Sequence, residues 1–164
     1  MSEKVLELKD LAVSFNTPEG EVEAVRGVDL SVNAGEILCI VGESGCGKTV
    51  MCQSVMHLLP SYAHIKRGTI SVCGQDITNY TEKQMRRLRG SVVSMVFQDP
   101  LATLNPTIPI GKQITEVILK HQRVTKAEAR ARAMELLERV GIEDAANRFD
   151  LQPHFFSGGM RQRC

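Results

Sequence analysis

The sequence predicts an α/β fold in which an antiparallel β layer precedes a core with buried parallel strands, and a helical region follows. Three observations predict it. Apolar and polar residues alternate through the first third of the chain, as they do in half-buried strands. The run from Ile37 to Val41 is apolar throughout, as in a parallel strand covered on both faces. From Ile110 onward the apolar residues follow a mostly helical spacing.

The N-terminal β layer is predicted from a broken alternation followed by a turn. The segment at residues 17–20, Thr-Pro-Glu-Gly, is rich in turn-forming residues. Further strands of this layer are predicted at Val22–Val25 and Val28–Val32, and a separate strand is predicted later in the chain, at Gly68–Val72. The alternating apolar residues of the first strand are Val5, Leu6, Leu8, Leu11, Val13 and Phe15.

The core is predicted from a strand, a glycine-rich loop and a helix in that order. The loop follows Ile37–Val41, and a helical stretch continues from it to about Leu59. Val92–Phe97 is predicted to be a second buried strand. This order of elements is the one in which nucleotide phosphates are commonly bound.

Two capping boxes mark helix starts in the rest of the chain. One begins at Thr81 and the other at Thr125, each followed three residues later by a glutamine or glutamate. The second helix is predicted to end at Gly141, a residue suited to a helix C-cap. Its apolar stripe is Ala129, Ala133, Leu136, Leu137 and Val140. The predicted domains are a β-rich nucleotide core at residues 1–98 and a helical subdomain at residues 99–164.

Composition and charge argue against several function classes. Hydrophobic residues make up 43% and charged residues 24% of the 164 residues, as in ordinary globular proteins. The net charge is +1, whereas nucleic-acid-binding proteins usually carry a clear basic excess. No apolar run approaches the roughly 20 residues that cross a bilayer, and the N-terminus lacks the apolar segment of a signal peptide. We therefore expect a cytoplasmic protein with no nucleic-acid partner and no direct membrane insertion.

The five cysteines do not suggest a metal site or a disulfide framework. Their number is odd and no two have CxxC spacing, so we expect reduced thiols. Cys46, in the glycine-rich loop, is either a spacer or a reactive thiol, because a helix N-terminus and a neighbouring lysine favour the thiolate. The cysteines are Cys39, Cys46, Cys52, Cys73 and Cys164.

The glycine-rich loop carries the most specific motif in the chain. Residues 42–49 read GESGCGKT and fit the phosphate-loop pattern G-x-x-x-x-G-K-[ST]. Its glycines allow a tight turn whose N–H groups point inward as an anion nest, and the following helix adds its positive end. The residues expected to hold nucleotide are Gly42, Ser44, Gly45, Cys46, Gly47, Lys48 and Thr49.

Two residues of this loop have the most specific expected roles. Lys48 should reach the β- and γ-phosphates of ATP, and the Thr49 hydroxyl should ligate Mg²⁺. The alternative is a glycine-rich turn without a ligand, in which Lys48 would have no evident purpose. We therefore predict binding of ATP with Mg²⁺.

Two later segments resemble motifs of ABC ATPases. Phe97–Pro100 reads FQDP and resembles the Q-loop, and residues 156–163 read FSGGMRQR and resemble the signature motif, usually LSGGQ. Phe156 stands in place of the leucine and Met160 in place of the glutamine. With the LNP segment at residues 104–106 and the loop sequence VGESGCGKT, this form resembles the branch that imports oligopeptides, dipeptides or nickel.

The resemblance implies further site residues. Phe15 matches the aromatic residue that stacks on adenine, with a strand core residue as the equal alternative. Gln98 matches the glutamine that contacts Mg²⁺ and the attacking water, and its alternative is a polar strand end. The segment Ser157, Gly158 and Gly159 matches the loop that caps the γ-phosphate bound to an opposing subunit. Its alternative is a plain helix N-cap.

The resemblance also implies catalytic groups that are not in this sequence. In the family, a later apolar strand ends in Asp-Glu, which supplies a Mg²⁺ ligand and the general base, and a later histidine contacts the γ-phosphate. None is found up to Cys164. We therefore expect the N-terminal portion of an ATPase subunit, without the C-terminal part of the core and inactive in hydrolysis by itself.

The function implied by the resemblance is that of an ATP-binding subunit of an importer. It would couple ATP binding and hydrolysis to uptake of peptides or nickel across the cytoplasmic membrane. The implied partners are integral membrane permease subunits and a second ABC ATPase subunit, arranged head to tail on the cytoplasmic face. The alternatives are a soluble, non-transport ABC ATPase and an inactive fragment that only binds nucleotide.

Overall fold

The computed structural model describes residues 3–97 and 103–164. The chain forms two compact units, Met1–Ser94 and Met95–Cys164. The FQDP segment is described only at Phe97, so Gln98 lies outside the described residues. The domain boundary at residue 98 therefore stays a prediction.

The first unit is built on a four-stranded antiparallel sheet in the order β2-β1-β3-β4. A short turn at Pro18 and Glu19 joins β1 to β2, which confirms the predicted turn and antiparallel layer. The predicted strands Val22–Val25 and Val28–Val32 form one continuous strand, because the chain passes Gly27 as an irregularity in the ladder rather than a break. The strands are β1 (Lys4–Thr17), β2 (Gly20–Asn33), β3 (Ala63–Val72) and β4 (Gln75–Asp76).

Two helices, α1 (Lys48–Val55) and α2 (Glu82–Leu88), belong to the same unit. Helix α1 ends earlier than the predicted Leu59, because His57 takes a left-handed conformation with φ 50°. The Arg89 guanidinium donates hydrogen bonds to the carbonyls of Met56 and His57, at 2.8 and 3.0 Å, and so caps the C-terminal end of α1. The buried core residues are Leu8, Leu11, Val13, Val25, Met51, Val55, Ile70, Val72, Ile77 and Met85.

The two predicted buried strands of the core are not formed. Ile37 and Val41 are 97% and 84% exposed, and Val96 is 95% exposed. Within the described residues, neither run belongs to the sheet, and Val93 makes only an isolated bridge to Arg89. A buried parallel strand needs neighbouring strands on its edges and cover on its faces. The described residues supply neither, so the prediction from apolar character alone was wrong here.

The second unit is helical, as predicted. Its buried core is formed by Ile110, Ile118, Ala129, Ala133, Leu137, Ile142, Ala145, Phe149 and Phe156. The predicted stripe is buried at Ala129, Ala133 and Leu137, whereas Val140 is exposed. The helices are α3 (Ile110–His121), α4 (Lys126–Arg139), α5 (Ala145–Arg148) and α6 (Gly158–Arg163), and a 3₁₀ turn spans Pro153–Phe155.

The predicted helix ends are confirmed by their hydrogen bonds. Both capping boxes are present, at Thr81 with Gln84 and at Thr125 with Glu128. After α4, the Gly141 N–H donates to Glu138 and the next N–H donates to Leu137, which is a Schellman ending. Among the described residues, no helix is both long and apolar enough to cross a bilayer.

Helix α3 starts against the backbone of the segment before the 3₁₀ turn. The N–H groups of Ile110 and Gly111 donate to the carbonyls of Leu151 and Phe149, at 3.0 and 2.9 Å. A Cβ at Gly111 would overlap with ring carbons of Phe149. A side chain at this position would therefore push the helix away from the ring on which it packs.

We predict that Gly111→Ala lowers the unfolding free energy by about 1–3 kcal/mol, the usual cost of overpacking a core. Gly159→Ala is the matched control, because a Cβ at this helical glycine meets open space. That control should be neutral or slightly stabilising, since alanine favours helix over glycine. Urea denaturation followed by circular dichroism measures both variants. Equal stability of the two would contradict the close approach.

Candidate nucleotide-binding site

The predicted phosphate loop lies between the exposed run Ile37–Val41 and helix α1. Gly45 and Gly47 have φ values of 83° and 94°, which turn the backbone in a way that other residues rarely adopt. Helix α1 then begins at Lys48. The predicted order of loop and helix is confirmed, although the segment before the loop is not a strand.

Gly47 joins the loop to the sheet at very short range. A Cβ built on Gly47 would lie 2.5 Å from the carbonyl oxygen of Ala24 in β2. No side chain other than hydrogen fits there, so the glycine sets how closely the loop approaches the sheet. The same residue is the N-cap of α1 and makes no side-chain capping bond. Its lack of a side chain therefore leaves the helix N-terminus open to an external anion.

The Lys48 ammonium is held inside the loop. It donates to the carbonyl oxygens of Gly42 and Glu43, both at 2.7 Å, and lies 3.4 Å from the Cys46 sulfur. A Cβ at Gly42 would lie 2.8 Å from that sulfur, so the glycine allows the loop to close around the ammonium. These bonds fix a positive charge next to the open N-terminus of α1.

A cavity of about 750 Å³ lies between the loop and strand β2. This volume falls within the range of about 300–1,000 Å³ typical of small-molecule sites. Gly45, Cys46, Gly47 and Lys48 form its polar side. Its apolar side includes Val22, Val25, Val28 and Leu30 of the sheet. The lining also includes the charged residues Glu23 and Arg26 of β2. An apolar wall opposite the loop and its ammonium suits an anion that carries a flat organic group.

The predicted metal ligands are described only in part. Thr49 is exposed in the first turn of α1, and its hydroxyl is the kind of hard oxygen donor that Mg²⁺ prefers. Gln98 lies outside the described residues. Within residues 3–97 and 103–164, no three His, Cys, Asp or Glu side chains come together to hold a metal ion. With the Thr49 hydroxyl as the described oxygen donor, the site fits a magnesium ion that is held chiefly through phosphate oxygens.

Phe15 lies near the C-terminal end of β1 and is half-buried. It pairs in register with Val22 of β2, which lines the cavity, although Phe15 itself is not among the lining residues. Its ring contacts Tyr62, with centroids 5.9 Å apart and planes inclined by 50°. The position suits a ring at the margin of the cavity, so a role in base stacking stays a prediction.

The predicted signature segment belongs to the second unit. Ser157 is the N-cap of α6, and its hydroxyl accepts a hydrogen bond of 3.3 Å from the Met160 N–H. Phe156 is 3% exposed and Met160 packs against the same core. Both departures from the usual signature are therefore apolar residues that anchor the segment. Gly158 and Gly159 are exposed, and a Cβ at either would meet open space.

Two features of the site were not predicted from the sequence. The Ala24 carbonyl that contacts Gly47 is a backbone group, and no residue type signals it. Tyr62 follows a predicted helix, and it could have been noticed because the chain has few aromatic residues. Cys39 was expected in a buried strand but is exposed, like Cys46, because the strand is not formed.

Comparisons with known proteins identify the family of this chain. Residues 25–164 match the family described as ABC transporter. The chain therefore belongs to the ABC transporter family, and the sequence resemblance is confirmed.

Curated relatives in this family are transport proteins of bacteria. The chain is 52% identical over 161 residues to the oligopeptide transport ATP-binding protein OppD of Bacillus subtilis strain 168, covering 98% of this chain and 45% of the relative. It is 48% identical to the dipeptide transport ATP-binding protein DppD of the same strain, covering 98% and 48%. The chain thus spans about half the length of the curated relatives it matches.

Solved structures confirm the predicted fold class. Two dimeric structures of the ATP-binding cassette MJ0796, one described as a post-hydrolysis state bound to ADP and Pi, match with TM-scores of 0.81 and 0.80. Each is 22% identical, and the alignment covers 96% of this chain and 66% of the cassette. At this identity the likeness shows the ABC ATPase fold and nothing further.

We predict that Gly47→Ala destabilises the first unit more than Gly45→Ala does. Both alanines must adopt a positive φ, which costs about 1–2 kcal/mol, but only the Cβ at position 47 meets another atom within 4 Å. The difference should be about 1–3 kcal/mol, because β2 or the loop must shift. Paired denaturation curves measure it. If the two variants lost equal stability, the contact with Ala24 would not hold the loop in place.

Proposed function

We propose that this chain binds the triphosphate of ATP in the Gly42–Thr49 loop and is part of the ATP-binding subunit of an ABC importer for peptides. One observation carries the proposal: the Lys48 ammonium is fixed within the loop by two carbonyls, beside a helix N-terminus that no side chain caps. An ammonium and an uncapped helix N-terminus at the same place together attract a phosphate anion.

The loop has the means to hold phosphate oxygens. Lys48 carries three donors; two are directed to carbonyls of the loop and the third to the Cys46 sulfur, a weak acceptor that a phosphate oxygen would replace. The first N–H groups of α1 and the positive end of its dipole add to the attraction. The Thr49 hydroxyl would hold Mg²⁺, and the bound ion would neutralise part of the negative charge of the phosphates.

Other residues of the site are assigned by the same proposal. Phe15 stacks on the adenine ring at the margin of the cavity, and Gln98 orients the attacking water. Ser157, Gly158 and Gly159 bind the γ-phosphate of ATP held by a second subunit, in a head-to-tail dimer. Hydrolysis in such a site depends on positioning and charge neutralisation rather than on a covalent intermediate.

The proposed cargo and partners come from the relatives. The curated relatives OppD and DppD are named for transport of oligopeptides and dipeptides, which favours peptides over nickel. The subunit would dock on integral membrane permease subunits at the cytoplasmic face of the membrane. The segment at residues 98–141, which follows the proposed phosphate sensor Gln98, would face the permease and relay the nucleotide state.

We predict that Lys48→Ala weakens ATP binding about tenfold or more, because a charge-assisted hydrogen bond contributes about 1.5–3 kcal/mol. Isothermal titration of the purified protein with ATP in Mg²⁺ buffer gives the dissociation constants. Lys83→Ala is the matched control, since Lys83 is an exposed lysine on helix α2. Equal affinities of wild type and Lys48→Ala would exclude the loop as the phosphate site.

Bound ATP should also protect Cys46 from alkylation. Its sulfur lies 3.4 Å from the Lys48 ammonium and lines the cavity, so a nucleotide in the loop would cover it. Cys73, exposed in the turn between β3 and β4, serves as the internal reference. A brief maleimide pulse with and without Mg-ATP, read by mass spectrometry, should show slower labelling at Cys46 alone. Unchanged labelling of Cys46 at saturating ATP would contradict this geometry.

A further inference from the structure

An exposed aromatic ring lies beside Phe15 in the first unit. Tyr62 is 57% exposed, and it belongs neither to the buried core nor to the residues packed against it. Its ring nevertheless contacts the Phe15 ring, with centroids 5.9 Å apart and an interplanar angle of 50°. This distance and tilt are those of a favourable aromatic pair.

The backbone around Tyr62 fixes the same end of strand β1. The Asn16 N–H donates to the Tyr62 carbonyl at 2.8 Å. The next residue, Ala63, pairs with Phe15 in the register of β1 and β3, and its N–H donates to the Pro60 carbonyl at 2.9 Å. Tyr62 is therefore held at a fixed place relative to Phe15 by bonds that do not involve its own side chain.

The two neighbours of Phe15 differ in character. On the β2 side it pairs with Val22, which lines the cavity next to the phosphate loop. On the β3 side it meets the ring of Tyr62. The tilted contact with Tyr62 restricts the rotation of the Phe15 ring, which is itself half-buried.

We propose that Tyr62 is a positioning residue for recognition of the adenine base. It holds the Phe15 ring in the orientation that stacks on the base, so that binding does not have to order that side chain. The inference rests on the proposed function, in which Phe15 contacts adenine. It adds a residue to the base site that sequence motifs did not identify.

The test compares a ligand with a base to one without. The purified protein is titrated with Mg-ATP and with inorganic tripolyphosphate in Mg²⁺ buffer. Tyr62→Ala should weaken ATP binding about three- to tenfold, the size expected for loss of an aromatic pair, and leave tripolyphosphate binding unchanged. Tyr62→Phe keeps the ring and should bind ATP within about twofold of wild type, because only the ring is needed. Phe155→Ala, which removes an equally exposed aromatic from the second unit, should change neither ligand.

A double variant decides whether Tyr62 acts through Phe15. In the Phe15→Ala background, Tyr62→Ala should cause no further loss of ATP affinity. An independent loss, an equal loss of tripolyphosphate, or no loss of ATP would each overturn the inference. Unchanged tripolyphosphate binding also shows that the variants are folded at the loop. If wild type binds tripolyphosphate as tightly as ATP, the protein does not recognise the base, and this inference fails while the assignment of the phosphate loop stands. If Lys48→Ala binds both ligands as tightly as wild type does, the proposed function itself fails.

Discussion

The approach of Gly47 to the Ala24 carbonyl is the constraint on which the site depends. It brings the phosphate loop against strand β2 and sets the start of helix α1 at the same point. The cavity exists between these two elements, and the Lys48 ammonium reaches the loop carbonyls only when the loop is folded in this way. A glycine at this place thus has two functions, since it lets the backbone pass close to the sheet and leaves the helix N-terminus without a cap.

Local patterns predicted much of the fold because their energetics are local. A capping box uses side chains and N–H groups three residues apart, so Thr81 and Thr125 mark helix starts reliably. The hairpin of β1 and β2 is likewise decided by a turn and by alternation. The two predicted parallel strands failed for the opposite reason. Their stability depends on neighbouring strands distant in sequence, and Ile37–Val41 carries no information on whether those neighbours are present.

The candidate site shows the same division. The motif from Gly42 to Thr49 could be predicted because backbone geometry and charge are encoded in eight consecutive positions. Family membership followed from the order of motifs. The contacts of the loop with Ala24 and of Phe15 with Tyr62 join residues separated in sequence, and one of them is made by a backbone atom. Such contacts require the register of the sheet, which alternation alone does not specify.

The exposure of Ile37–Val41 and of most of Val92–Phe97 has a consequence for how the protein folds. Strands β1 and β2 pair across a short turn, so their contacts close early and at little entropic cost. Among the described residues the apolar runs pair with no strand, and only Val93 makes a single isolated bridge, to Arg89. Their exposed apolar side chains form a surface on which a second chain can associate. Partitioning between native folding and aggregation therefore depends on protein concentration, and chaperones that bind apolar segments would act first on these two runs.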